Sequence, residues 1–95
     1  MGDAKIGSFV FLNTEVVVGH DSHVGDFSCL FPKTEVCGDC DIGESVIMGI
    51  NSVILPGNTL VNGSKLDALS VLRRSYKFSG IFSGNPARLV KKYDA

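Results

Sequence analysis

A large apolar residue recurs at every sixth position from Ile6 to Leu72. The series consists of Ile6, Leu12, Val18, Val24, Leu30, Val36, Ile42, Met48, Ile54, Leu60, Leu66 and Leu72. A period of six matches neither the 3.6-residue helix nor the two-residue alternation of a strand, so the pattern indicates an internal repeat. Each hexad then supplies one short strand and one corner, and three hexads complete a triangular coil.

A second series, of mostly small residues, follows each apolar residue by four positions. Its members are Val10, Val16, Ser22, Ser28, Thr34, Cys40, Val46, Ser52, Asn58, Ser64 and Ser70, and Tyr76 interrupts it. A narrow interior explains the pairing, because large residues in both series would overpack it. Successive coils would stack about 4.8 Å apart through parallel strand pairs. The two series predict an all-β parallel β-helix of about four coils over residues 6–77, after a lead-in over residues 1–5.

The last segment, residues 78–95, does not follow the hexad pattern. Residues 78–83 are predicted to form a strand or an extended turn. Asn85 suits a helix N-cap and Pro86 the first helical position. We therefore predict a short helix from Pro86 to about Tyr93, which would cover the open end of the solenoid as terminal caps do in repeat proteins.

Length and composition indicate one small soluble domain. The chain has 95 residues and a formal net charge of −1, so its charge gives no attraction to nucleic acid. No apolar run has the length of a signal peptide or a membrane helix, and we expect a cytoplasmic protein without a membrane partner. The exposed sides of so short a solenoid favour assembly into an oligomer.

The three cysteines are expected to be free thiols. Their number is odd, and the chain shows no export signal. Cys37 and Cys40 have the C-x-x-C spacing, but no second pair completes a zinc site, and Cys40 belongs to the small inward series. We therefore predict packed thiols and no metal site.

Both histidines lie in the segment that is richest in candidate chemistry. His20 and His23 fall outside the two inward series, so we expect them on the exterior or at a corner. His20 is followed by Asp21 and comes seven residues after Asn13. When a carboxylate or an amide fixes one ring nitrogen of a histidine, the other nitrogen can act as a general base near neutral pH.

These residues carry a resemblance to a known family. An Asn is followed seven residues later by a His-Asp pair, and then by Val-Gly-Asp-Phe over residues 24–27. With the ending Gly-Asn-Pro-Ala-Arg over residues 84–88, the chain resembles the hexapeptide-repeat acetyltransferases, of the sialic acid O-acetyltransferase and nucleotide-aminosugar N-acetyltransferase type. The resemblance implies a left-handed coil, a homotrimer with acetyl-CoA at the subunit interfaces, and a sugar, a nucleotide sugar or another small acceptor.

The resemblance also implies roles for individual residues. His20 matches the general base that removes a proton from the acceptor, and Asn13 matches a polar residue beside the acceptor. Asp21 would orient or support His20, although Glu15 is an alternative carboxylate. Direct attack by the acceptor on the thioester needs no nucleophile from the enzyme.

Residues eighteen positions apart should stack along one face of the coil. Gly38, Pro56 and Arg74 would then follow His20 in one column. The Gly38 N–H would be open to the thioester oxygen, where charge develops in the transition state. By resemblance Arg74 stands where the family has a lysine, so it could bind coenzyme A phosphates, with Arg73 and Arg88 as further candidates.

Several features depart from the family. Ser75 and Lys77 replace an Asp and a Pro, and Cys29 stands where some members have a histidine. The nucleotide-sugar-binding domain that usually precedes the coil is not represented, so the chain would be a fragment, a minimal transferase or a coil without catalysis. The alternatives are therefore a non-catalytic trimerisation module and a γ-carbonic anhydrase relative. The second would use three histidines on zinc, whereas this chain has two.

Overall fold

The hexads form a stack of short parallel strands. The computed structural model describes residues 2–93. Met1, in the predicted segment 1–5, and residues 94–95, in the predicted segment 78–95, lie outside the described residues. Twelve two-residue strands follow the period of six. They are β1 Lys5–Ile6, β2 Phe11–Leu12, β3 Val17–Val18, β4 His23–Val24, β5 Cys29–Leu30, β6 Glu35–Val36, β7 Asp41–Ile42, β8 Ile47–Met48, β9 Val53–Ile54, β10 Thr59–Leu60, β11 Lys65–Leu66 and β12 Val71–Leu72.

Every third strand belongs to the same sheet, so the coil has three flat sides. The first sheet has the order β1-β4-β7-β10, and the third sheet has β3-β6-β9-β12. The second sheet contains β2-β5-β8-β11 and continues into two further strands, β13 (Gly80–Gly84) and β14 (Ala87–Lys92). Each parallel pair joins residues eighteen apart, as in Val17 with Glu35. The predicted all-β parallel solenoid of about four coils is confirmed.

The interior is filled as the two series predict. Every large residue from Val24 to Leu72 is at most 2% exposed. Most of the small series is also buried, and some of its hydroxyl groups join neighbouring coils: Ser22 Oγ donates to the Cys37 carbonyl at 2.6 Å and accepts the Cys40 N–H at 3.0 Å. Ser22 therefore satisfies backbone groups that the corners leave free.

The corners depend on residues in the left-handed region of φ. At nine corners this residue is not glycine, and φ lies between 54° and 64°. The N–H of the corner residue donates to a carbonyl of the coil before it, as Asp39 does to His20 at 2.9 Å. The glycine that directly follows many inward residues has another role. A Cβ at Gly25 would come within 2.5 Å of the Gly43 backbone, so the coils approach too closely there for a side chain.

The predicted C-terminal helix is wrong. Residues 87–92 form β14, which pairs antiparallel with β13, and Asn85 and Pro86 make the turn between them around a cis peptide bond. A helix of eight residues is marginal by itself, whereas the open edge of β13 offers a full set of backbone partners. Gly84, with φ of 102°, supplies the left-handed conformation next to the turn.

An aromatic cluster covers the C-terminal end of the solenoid, which is the role expected for the helix. The Tyr76 ring stacks on Phe82 with centroids 4.7 Å apart, and Phe78 lies 6.3 Å from Phe82. Phe82, in β13, is fully buried.

Among residues 2–93 there is no helix with the length and apolar character that crossing a membrane requires.

Candidate functional site

His20 and Asp21 lie at the corner that joins the third sheet to the first sheet. His20 Nδ1 is 3.3 Å from Asp21 Oδ2, and both side chains are about half exposed. An ionised carboxylate only accepts hydrogen bonds, so Nδ1 carries the proton in this contact. The lone pair is then on Nε2. The pair therefore has the arrangement that a general base needs.

A second donor holds the Asp21 carboxylate in place. The Gly2 N–H donates to Asp21 Oδ2 at 3.1 Å, and the Asp21 N–H donates back to the Gly2 carbonyl at 3.3 Å. The hydrogen bond from Gly2, followed by that from His20, lowers the pKa of Asp21. The carboxylate is thus ionised throughout the neutral range.

The column expected below His20 is present for its first two steps. The His20 carbonyl accepts from Asp39 N–H and the Gly38 carbonyl accepts from Gly57 N–H, so successive corners stack in register. A Cβ at Gly38 would lie 2.5 Å from His20 Nε2, which means that the imidazole ring rests directly over this glycine. The Gly38 N–H makes no hydrogen bond with any other residue in the range 2–93. Pro56 occupies the same corner one coil further on.

The structure brings the three predicted arginines together. Arg73, Arg74 and Arg88 line a cavity of about 240 Å³ with Tyr76, and every charged residue that lines it is an arginine. The Arg74 guanidinium lies 5.0 Å from the centroid of the Tyr76 ring. Three guanidinium groups without a carboxylate make this cavity suited to an anion such as a phosphate.

The hairpin explains how Arg88 reaches this cavity. Arg88 belongs to β14, which returns alongside β13, and Arg73 Nε donates to Asn85 Oδ1 in the connecting turn at 3.0 Å.

Arg74 follows β12 by two residues, as His20 follows β3. Three coil steps of about 4.8 Å therefore separate them by roughly 14 Å along the axis.

Other predicted residues lie elsewhere. Asn13 follows β2 and so stands at the far end of the third sheet from His20, where its Oδ1 accepts the Thr14 N–H at 2.9 Å. Glu15 shares the corner of Asn13, whereas Asp21 contacts His20. His23 is exposed in β4, on the outer face of the first sheet.

Asp39 is a site residue that the sequence reasoning missed. It stands one coil below Asp21, and an oxygen of its carboxylate lies within 4.8 Å of both an imidazole nitrogen of His20 and an Asp21 oxygen. The signal was available, because the eighteen-residue interval from Asp21 leads directly to Asp39. His20 therefore has two carboxylates beside it.

The cysteines are free, as predicted. Cys40 is buried, and Cys29 and Cys37 are half-buried. Burial raises the pKa of all three thiols, which lowers their thiolate fraction at neutral pH.

Some of the curated relatives are transferases by name. No protein-family profile matches the chain. The chain is 35% identical over 92 residues to protein CapG of Staphylococcus aureus, with 96% of this chain and 54% of the relative covered. It is 40% identical over 53 residues to the putative lipopolysaccharide biosynthesis O-acetyl transferase WbbJ of Escherichia coli K12, with 56% of this chain and 27% of the relative covered.

Solved structures of acetyltransferases also resemble this chain. A serine acetyltransferase in complex with CoA is 26% identical, with a TM-score of 0.86 over 93% of this chain and 40% of that one. The resemblance to the hexapeptide-repeat acetyltransferases is confirmed. The hexapeptide-repeat coil also matches AntD, an N-acyltransferase from Bacillus cereus solved with dTDP-4-amino-4,6-dideoxyglucose and coenzyme A. There the TM-score is 0.85 at 19% identity, over 99% of this chain and 65% of that one. The chain thus spans about a quarter to two thirds of the length of these proteins.

Proposed function

We propose that this chain forms the catalytic coil of an acetyl-CoA-dependent O- or N-acetyltransferase, with His20 as the general base. The observation that carries the proposal is the pairing of His20 Nδ1 with Asp21 in a column that ends in the three-arginine cavity. The acetyltransferase names of the relatives support the reaction class.

The reaction requires the acceptor to lose a proton as it attacks the thioester. His20 Nε2 would take that proton from the acceptor hydroxyl or amine, while the new bond forms between the acceptor atom and the acetyl carbon. The same nitrogen would then return the proton to the departing thiolate, so that base and acid are regenerated in each turnover. Asp21, held ionised by Gly2, would stabilise the imidazolium that forms between these two transfers.

Residues further along the column suit the donor. The Gly38 N–H, which is without an acceptor in the part of the chain described, could donate to the developing oxyanion of the thioester carbonyl. Arg73, Arg74 and Arg88 could bind the phosphates of coenzyme A, about three coil steps from the base. Pro56 would line the path between them.

The proposal includes a left-handed coil and a homotrimer. Asn13 and His20 stand at opposite ends of one coil side, so Asn13 would approach the acceptor of a neighbouring subunit. Apolar residues are exposed on the outer faces of the second and third sheets, as Phe11, Val17 and Ile47 are, and these faces suit a subunit interface. The acceptor would be a sugar or a nucleotide sugar, as in AntD, and the location cytoplasmic.

Calorimetric titration with acetyl-CoA tests the donor site directly. We expect micromolar binding that His20→Ala retains and that Arg74→Ala weakens about tenfold, as loss of one charge-assisted contact would do. Lys5→Ala, which removes the same charge from the first sheet, is the matched control. A trimer that is folded but does not bind acetyl-CoA would contradict the proposal and favour a non-catalytic assembly module.

Acetyl transfer is then measured by release of the coenzyme A thiol with nucleotide-linked amino sugars and hydroxyl sugars as acceptors. His20→Ala should reduce turnover by at least 100-fold, within the range of general base catalysis. Turnover that is unchanged in this variant would rule out His20 as the base.

A further inference from the structure

We propose that Gly2 is a positioning residue for the His20–Asp21 pair, acting through its backbone N–H and through its lack of a side chain. The inference rests on the proposed function, because it concerns the same base. Gly2 stands eighteen residues before His20 and therefore occupies the same column, one coil above it.

Two hydrogen bonds fix Asp21 relative to Gly2. Asp21 Oδ2 accepts both the Gly2 N–H, at 3.1 Å, and the proton of His20 Nδ1, at 3.3 Å. The return bond, from the Asp21 N–H to the Gly2 carbonyl at 3.3 Å, holds the two backbones in register. One carboxylate oxygen is thus shared between the lead-in segment and the base, so a displacement of the carboxylate would also displace the imidazole.

The lack of a side chain at Gly2 matters as much as its N–H. A Cβ built at Gly2 would overlap Asp21 Oδ1, and its other near contacts are also with the Asp21 carboxyl group. With Gly38 beneath the imidazole ring, the pair lies between two glycines of the same column. A side chain on either neighbouring coil would occupy the space in which the pair now rests.

Gly2→Ala is the direct test, and Gly7→Ala is its control. Gly7 makes the same kind of contact at another corner, where a Cβ would overlap Asp26 Oδ1 and approach the Asp26 backbone nitrogen to 2.9 Å. The control is therefore at least as strained, but it does not touch the pair. Four quantities are measured: kcat and KM for acetyl transfer, the His20 tautomer by nitrogen NMR, and the titration midpoint of the Asp21 carboxyl by carbon NMR.

In Gly2→Ala we expect kcat to fall roughly 10- to 100-fold, the range caused by small misplacement of a catalytic group. KM for acetyl-CoA should change less than about twofold, since the arginine cavity is remote. The His20 population protonated at Nδ1 should decrease, and the Asp21 midpoint should move up towards the ordinary aspartate value. Gly7→Ala should leave all of these within about twofold of the parent protein.

A double-mutant cycle separates positioning from general damage to the first coil. In an Asp21→Ala background, Gly2→Ala should have no further effect on kcat, because the group that Gly2 positions is already absent. A further loss in that background, an equal loss in Gly7→Ala, or an unchanged tautomer and midpoint in Gly2→Ala would each overturn the inference. The NMR measurements decide it even if acetyl transfer fails to appear, an outcome that would count against the proposed function instead.

Discussion

The imidazole ring of His20 lies directly over Gly38, so that a Cβ at residue 38 would be 2.5 Å from Nε2 and 2.7 Å from Cε1. These two residues are eighteen positions apart and belong to successive coils of one corner. The His20 ring can therefore occupy its present position only because residue 38 is a glycine and has no side chain there.

Gly38→Ala should strongly reduce activity while leaving the fold intact. The atoms that the new methyl group would meet first belong to the His20 ring, which can rotate away, and the loss of alignment should lower kcat about 100-fold. Gly25→Ala is the contrasting variant, because its methyl group would meet the Gly43 and Glu44 backbone. Thermal unfolding and turnover are measured for both. A Gly38→Ala protein with normal turnover would show that the ring does not need this place.

The contact between Asp21 and His20 should persist in mildly acidic solution. The pKa of Asp21 is lowered by the hydrogen bonds from Gly2 and His20. A lowered pKa means that the contact is fully present above the unfolded-state value and is lost only as the pH falls through the folded value. Carbon NMR of the Asp21 carboxyl should therefore give a midpoint below that of the same residue in urea. Equal midpoints in the two states would contradict the shared-oxygen geometry.

Arg88 should contribute to binding of coenzyme A as much as Arg74 does. Arg88→Ala removes one of three guanidinium groups from the cavity, so we expect affinity to fall about tenfold and to depend less on salt. Lys91→Ala is the matched control, since Lys91 is exposed in the same strand but does not line the cavity. Calorimetry at two salt concentrations checks both variants. Equal losses for the two would indicate an unspecific effect of charge.

The aromatic cluster should carry much of the stability of the C-terminal end. Phe82 is fully buried against Tyr76, and Phe82→Ala should lower the free energy of unfolding by about 3–5 kcal/mol. Val90→Ala, at an exposed position of the same hairpin, should change it by less than about 0.5 kcal/mol. Urea denaturation followed by circular dichroism gives both values. Similar losses in the two variants would mean that the hairpin does not cap the solenoid.

The coil could be predicted from the sequence because each hexad repeats the same packing problem. One large and one small residue per side are enough to fix the strand positions and the inward faces, and every large residue from Val24 onward lies where the period requires. The same interval of eighteen residues placed Gly38 beside His20. Periodicity therefore predicts contacts within a column as well as it predicts the core.

Beyond the last hexad, only local sequence signals such as turn and capping residues were available for the prediction. Asn85 and Pro86 fit a helix start and a hairpin turn equally well, and the free edge of β13 decided between them. The approach of Arg88 to Arg73 follows from that hairpin and could not be derived from the helix that was predicted. The contact of Gly2 with Asp21 was not predicted because Gly2 lies in the lead-in before the first hexad, although it precedes His20 by one coil.

Because the coils stack in parallel register, the number of residues between two positions in one column determines their distance along the solenoid axis. Arg74 follows His20 by fifty-four positions, which are three whole coils. Inserting or deleting eighteen residues would keep every corner facing its present direction and would change the distance from base to anion cavity by about 4.8 Å. The spacing between His20 and the arginine cavity can therefore change only in discrete steps of one coil, while both ends keep their local structure.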